Sequence, residues 1–283
     1  MTAELCLVEV PYAIGDERQT ASEGPTRLVD ARAALAARGS ATVERVEREA
    51  PFADSASASL AVNKKVARVV GKALSSGQLP VVLAGSCDVA MGVLAGFDHS
   101  RCGVVWIDAH ADFNTPETTV SGFFPGMSVA VIAGHCYRSF WAQIGDSTPV
   151  TEAAMVMLGV RDLSPEAERE RLERSAIHVV AWRDGKPQAD VARALEELRT
   201  RVDHVYLHVD LDGLDPDVAP GIVDAPVPGG LSLEDAKAIL RAVADRFRIS
   251  AAAVTTYNPA LDEEEKTLRT ALRLLELLGE CAT

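Results

Sequence analysis

A chain of 283 residues, 48% apolar and 24% charged, is long enough for a sizeable core and too hydrophobic to remain disordered. Its net charge of -13 argues against nucleic acid or an anionic membrane as a partner, favours solubility and says nothing for or against a small-molecule partner. The N-terminus MTAELCLVEV has no basic stretch leading into an apolar run, and no segment reaches the length of a membrane span. Cys6, Cys87, Cys102, Cys136 and Cys281 are odd in number and widely spaced, so a reduced, cytoplasmic protein without disulfides is expected.

In chain order, the apolar run Leu5–Val10 predicts a strand and Thr26–Arg38 a helix, with Ala41–Ser59 read as loop. Ala61–Ser75 has helical periodicity. Leu79–Ala84 and Cys102–Ile107 read as buried strands, and Thr115–Gly126, rich in Thr, Gly and Pro, as a loop after a strand end. Then come strand Ala154–Leu158, helix Pro165–Ser175, strand Ile177–Val180, helix Gln188–Arg201 and strand His204–Val209. Helix Ser232–Phe247, with Asp235 three residues after Ser232 as a capping pair, strand Ile249–Thr255 and helix Glu263–Leu278 complete the pattern. Continuous apolar strands alternating with amphipathic helices mean an α/β protein with a parallel sheet covered on both faces, here one domain over residues 1–283. Ligands of such folds bind beyond the carboxyl ends of the strands.

The chemistry-bearing residues fall at those ends. In WIDAHADFNTP, Asp108, His110 and Asp112 are spaced two apart, so an extended chain would turn all three to one face. Two carboxylates so close repel unless protonated or neutralised, and a divalent metal is the natural counter-charge. A hydrogen-bonded His–Asp loop end is the plainer alternative. In LHVDLDGLDPD, His208, Asp210 and Asp212 alternate in the same way while Leu207, Val209 and Leu211 take the other face. One DxD is weak, but two such clusters, each ending a strand, supply ligands for two metals, and a paired site generates hydroxide at neutral pH. His208 is read as support for the site rather than as a ligand. The third segment, VVLAGSCDVAMG, reads as strand, glycine turn and helix start, with Gly92 inside the helix and Cys87 and Asp88 at the turn. Cys87 is either a small buried residue or a thiol whose pKa a helix N-terminus would lower, open to nucleophilic chemistry.

AGSCDVAMG, DAHADFNTPETTVSG, LGVRD, HVDLDGLDP, PVPGGLS and YNPALD, in this order over most of the chain, resemble the arginase/agmatinase (ureohydrolase) family. The resemblance implies a three-layer αβα sandwich, a dinuclear manganese centre and trimers or hexamers. It implies that the enzyme is a hydrolase of non-peptide C–N bonds in guanidino or amidine compounds, acting through a hydroxide that bridges two metal ions. Asp108 and Asp210 would bridge both metals, Asp112 would bind one and hold the hydroxide, and His110 and Asp212 would bind the other. Cys87 stands where the family has a histidine ligand, and a thiolate there shifts preference from Mn²⁺ towards Zn²⁺ or Fe²⁺. Asn114 and Ser121 match residues that hold a substrate carboxylate. Ser164 replaces an acidic residue that receives the α-amino group, Pro125 replaces a histidine that shuttles protons, and Thr256 replaces a glutamate that grips the guanidinium. Losing a buried ion-pair partner costs about 3–5 kcal/mol, so free L-arginine is not the expected substrate. The alternative is a relative that has lost its chemistry and keeps a binding or regulatory role. A cysteine-nucleophile enzyme is disfavoured, because surrounding acids raise a thiol pKa.

Overall fold

The computed structural model describes residues 4–14, 20–35, 41–47, 54–223 and 226–281. Their strands are β1 (Leu5–Val10), β2 (Ala41–Arg45), β3 (Leu79–Ala84), β4 (Cys102–Ile107), β5 (Met155–Leu158), β6 (His178–Val180), β7 (Trp182–Arg183), β8 (Lys186–Pro187), β9 (His204–Asp210) and β10 (Arg248–Thr255). The helices are α1 (Gly24–Leu35), α2 (Ser55–Ser75), α3 (Ala90–Ala95), α4 (Ser128–Ile132), α5 (Arg138–Trp141), α6 (Glu166–Glu173), α7 (Val191–Arg199), α8 (Leu233–Ala244) and α9 (Lys266–Cys281). β7 and β8 form a small antiparallel hairpin; the other eight strands form one sheet in the order β2-β1-β3-β10-β9-β4-β5-β6, every pair parallel. Helices flank this sheet, giving the expected αβα layers. β1, β3, β4 and β5 are buried along their whole length, which is why their sequences are apolar runs, broken only by Glu9 in β1. Among the described residues no helix is long and apolar enough to cross a membrane, and all five cysteines are free.

One expectation is overturned. Ala41–Arg45 is not loop but the edge strand β2, paired with β1, and α2 already begins at Ser55, where the Asp54 carboxylate accepts the Ser57 N–H at 2.7 Å. An edge strand has one neighbour and no continuous core face, so the sequence ATVER lacks the periodicity that marks the central strands. Residues 48–53 of that expected loop and residues 36–38 of the first expected helix lie outside the described residues. The last helix starts three residues late, because Glu264 takes a positive φ of 54° and sets off a separate 3-10 turn over Glu263–Glu265. The Ser232–Asp235 capping box is formed as expected.

The central strands position the site. β10 lies between β3 and β9, and β4 lies on the far side of β9. The carboxyl ends of these four strands therefore bring Cys87, Asp108, Asp210 and Thr256 to one edge of the sheet. Gly85 lets β3 end tight against the segment after β1: a Cβ there would lie 2.6 Å from the Ala13 Cβ and 2.8 Å from the Tyr12 carbonyl oxygen.

Candidate metal centre

β4 ends at Ile107, so Asp108, His110 and Asp112 do not alternate along an extended strand as their spacing predicts. They converge through a turn. Asp108 Oδ1 accepts the His110 N–H at 2.7 Å and Oδ2 accepts the Trp106 indole N–H at 2.9 Å. Asp112 has a left-handed backbone, φ 48°, and its carbonyl oxygen accepts the Val129 N–H at 2.9 Å, tying the turn to α4. A non-glycine residue in that region costs on the order of 1–3 kcal/mol and persists where the surroundings impose it. Likewise Asp210 is the last residue of β9, but Asp212 sits in the following 3-10 turn, its N–H donating to Asp210 Oδ1 at 2.8 Å. Gly213 keeps this turn close to β4, since a Cβ there would lie 3.0 Å from the Asp108 nitrogen.

Among the described residues, three sets of donor atoms lie within 4.8 Å of one another: Asp108, His110 and Asp212; Cys87, Asp108 and Asp112; and Cys87, His208 and Asp210. In the first, His110 Nδ1 is 3.1 Å from Asp212 and 3.3 Å from Asp108. Burial opposes a charged imidazole, but Asp212 and Asp108 outweigh it and hold the His110 pKa above its usual value. His110 in turn keeps Asp212 down at about 2 against the upward pull of burial. Burial and then Asp212 push Asp108 up to about 6. Asp112 and Asp210 are raised well above the carboxylate range, by burial first and then by neighbouring carboxylates. Burial, followed by Asp210, Asp112 and Asp108, also raises the Cys87 thiol. Its Sγ donates to Asp210 Oδ2 at 2.7 Å. The short turn and helix after β3 do not lower this pKa, and the nucleophile reading is the poorer for it.

The residues fit a bound cation. Asp112 Oδ2 is buried and, among the described residues, has no hydrogen-bond partner. Among the described residues, His110 is the only basic side chain in ion-pair contact with Asp108, Asp112, Asp210 or Asp212. The cluster forms the floor of a cavity of about 550 Å³, whose walls include Ile14, Phe123, Pro125, Ile222, Thr256 and Asn258. Thr256, at φ 66°, donates its hydroxyl to Asp210 Oδ1. Of the other expected substrate residues, none lines this cavity: Asn114 is buried and accepts from the Thr118 hydroxyl at 3.0 Å, while Ser121 and Ser164 are exposed.

Three residues behind the site carry no role in the sequence reading. Glu168 is buried on α6, accepts the Phe113 N–H at 2.9 Å, and is pushed up to about 7 by burial. Its signal is present, because it lies four residues before Leu172 on the one buried face of an otherwise charged helix. Arg161 spreads its guanidinium over the carbonyl oxygens of Gly159, Asp212, Gly213, Leu214 and Val227 at 2.8–3.3 Å, fixing the turn that carries Asp212. Asp88, next to Cys87, accepts the hydroxyls of Ser59 at 2.5 Å and Ser86 at 2.6 Å and so ties the turn after β3 to α2.

Buried carboxylates gathered at parallel strand ends, under a cavity of small-molecule size, are how an α/β protein holds divalent ions to activate water; the class defined is a metal-dependent hydrolase. The Arginase family profile matches residues 3–279. The chain belongs to the arginase family and is a hydrolase acting on C–N bonds of amidines. It is 33% identical over 297 aligned positions to an arginase of Bacillus caldovelox, covering 98% of each chain. It is 36% identical to an arginase of Bacillus subtilis over 227 positions, 78% of this chain and 76% of that one. The crystal structure of arginase from Bacillus cereus superimposes with a TM-score of 0.86 at 29% identity, covering 98% of both chains.

Proposed function

We propose that the chain hydrolyses a guanidino or amidine compound other than free L-arginine, using two divalent ions held by Cys87, Asp108, His110, Asp112, Asp210 and Asp212. The Asp112 Oδ2 that is buried and without a hydrogen-bond partner among the described residues, set among mutually repelling carboxylates, carries this reading, because a divalent cation lets such a cluster stay ionised. When bound, the ions supply a water acidic enough to attack at neutral pH. Mn²⁺ is the expected pair by resemblance, with Zn²⁺ or Fe²⁺ favoured by the Cys87 thiolate.

The protein's own groups do the rest. Asp112 Oδ2 orients the attacking water, takes its proton and delivers it to the leaving amine, the general-base role that Pro125 is unable to share. Ile14, Phe123 and Ile222 give the cavity an apolar wall for the uncharged part of the substrate. Thr256 offers a hydroxyl, already engaged by Asp210, where a cationic guanidinium needs a carboxylate. That mismatch is the reason to set L-arginine aside. Assembly into a trimer or hexamer is inferred from the family.

The test is elemental analysis of the purified wild type and Asp210→Ala, with hydrolysis assays on guanidino, N-hydroxyguanidino and formimino compounds. Near two equivalents of Mn, Zn or Fe in the wild type, lost in the variant together with a fall in activity of about 10³-fold or more, is expected. A wild type that neither contains nor takes up metal leaves instead a binding protein on this fold.

A further inference from the structure

The sequence casts His208 as mere support, but its surroundings are those of a metal ligand. It lies two residues before Asp210 on β9, on the same face, and is fully buried. The Trp106 indole stacks flat on the imidazole, with ring centroids 3.6 Å apart and planes 4° from parallel. Nδ1 is 2.6 Å from the Tyr206 hydroxyl. Stacking fixes the ring plane and the Tyr206 bond fixes its rotation, as a supporting residue does for an imidazole that binds metal through its other nitrogen.

That other nitrogen, Nε2, faces the cluster. Among the described residues its one hydrogen-bond partner is the Thr255 hydroxyl at 3.3 Å, a long bond for this pair. The same hydroxyl is 3.4 Å from Cys87 Sγ and 3.3 Å from Asp210 Oδ2. Donors around a tetrahedral ion with metal–ligand bonds of 2.0–2.3 Å stand roughly 3.3–3.8 Å apart. The Thr255 hydroxyl thus stands at that spacing from imidazole, thiol and carboxylate, and the donor atoms of Cys87, His208 and Asp210 all lie within 4.8 Å of one another, with thiol and carboxylate closest at 2.7 Å.

We propose that His208 is a direct metal ligand, which with Cys87 and Asp210 holds the more buried of the two ions and selects Zn²⁺ there over Mn²⁺. The inference rests on the two-ion reading. It explains how the cluster tolerates a cysteine at position 87: the imidazole absent from the β3 turn is supplied by β9. One thiolate, one imidazole and one carboxylate are a zinc-type donor set, softer than the carboxylates and imidazole of Asp108, Asp212 and His110.

The experiment is Co²⁺ titration of the chelator-treated protein, followed by absorbance, on wild type, His208→Gln, Tyr206→Phe, Cys87→His and the Cys87→His/His208→Gln double variant. Co²⁺ reports a thiolate ligand through a charge-transfer band and tetrahedral geometry through intense visible bands. Far-ultraviolet dichroism checks that each variant folds. For the wild type, two equivalents and a thiolate band are expected. His208→Gln should weaken one of the two by about 100-fold and dim its tetrahedral bands. Tyr206→Phe, which leaves the imidazole in place but frees its rotation, should weaken the same ion by about tenfold, and it serves if His208→Gln fails to fold. With an imidazole restored by Cys87→His, the His208→Gln change should matter little. Wild-type affinities and spectra in both His208→Gln and Tyr206→Phe would overturn the proposal and leave His208 a structural histidine. A wild type that binds no Co²⁺ would instead bring down the two-ion reading itself.

Discussion

On the β4 side of the cluster, His110 stands between Asp108 and Asp212, and the three groups balance much of one another's charge. That imidazole is also 38% exposed, so water reaches it. On the β3 side, Cys87, Asp112 and Asp210 are buried, every one of them has a raised pKa, and no cationic side chain among the described residues pairs with them. One side is nearly self-sufficient without an ion and the other is not. The contrast teaches where binding energy for a metal is stored: in the side whose donors have no other way to become charged.

Three substitutions break or sharpen this contrast. The largest effect is expected from Thr256→Glu, which adds a carboxylate beside the uncompensated side. If Thr256 is what excludes cationic guanidines, kcat/KM for L-arginine should rise roughly 100-fold, equivalent to about 3 kcal/mol of regained ion pairing. Steady-state kinetics on L-arginine and on an uncharged amidine check it; an unchanged ratio means that position 256 does not set the preference. Arg161→Met strikes only the β4 side, because the turn it holds carries Asp212. Losing one charged donor set shared by five carbonyl groups should lower stability by about 2–4 kcal/mol. Urea unfolding with chelator present measures this, and elemental analysis should show one ion lost in preference to the other.

The smallest effect concerns Glu168, the α6 carboxylate that accepts the Phe113 N–H. Folding raises the Glu168 pKa from 4.5 to about 7, so the folded protein binds that proton more tightly than the unfolded chain does. Its stabilising contribution is complete below pH 4.5 and is lost as pH rises through 7. With chelator present, wild-type stability relative to Glu168→Gln should therefore fall by on the order of 1–3 kcal/mol between pH 4.5 and 7.5. A difference that stays flat across that range would mean that Glu168 finds a counter-charge in the fold.

The strands that build the floor are legible in the sequence because they are buried on both faces: LPVVLA, CGVVWI and HVYLHVD have no face to give to water. Their acidic ends are legible because a carboxylate directly after such a run is costly to bury unless something positive meets it. β2 is not, since an edge strand of polar residues has no pattern to read. Nor is the meeting of Cys87 with His208. These residues are far apart in the chain, and strand order, not spacing, brings them together. The two-apart spacing of Asp108, His110 and Asp112 points to the right residues through the wrong geometry, because a left-handed Asp112 is a tertiary outcome. The rim is least legible: Asn114, Ser121 and Ser164 rest on resemblance, and this chain places them away from the cavity wall.

The position of β10 has a consequence for how the protein is made. Cys87 on the β3 turn and Asp210 at the end of β9 are held side by side by a strand that follows them both in the chain. A ribosome that has released β9 but not yet β10 has delivered every proposed ligand, yet nothing seats β3 next to β9. Until translation has passed Thr255 the proposed ligands on the β3 turn and at the end of β9 are therefore not gathered, whereas Asp108, His110 and Asp212, on the directly paired β4 and β9, do not wait for β10.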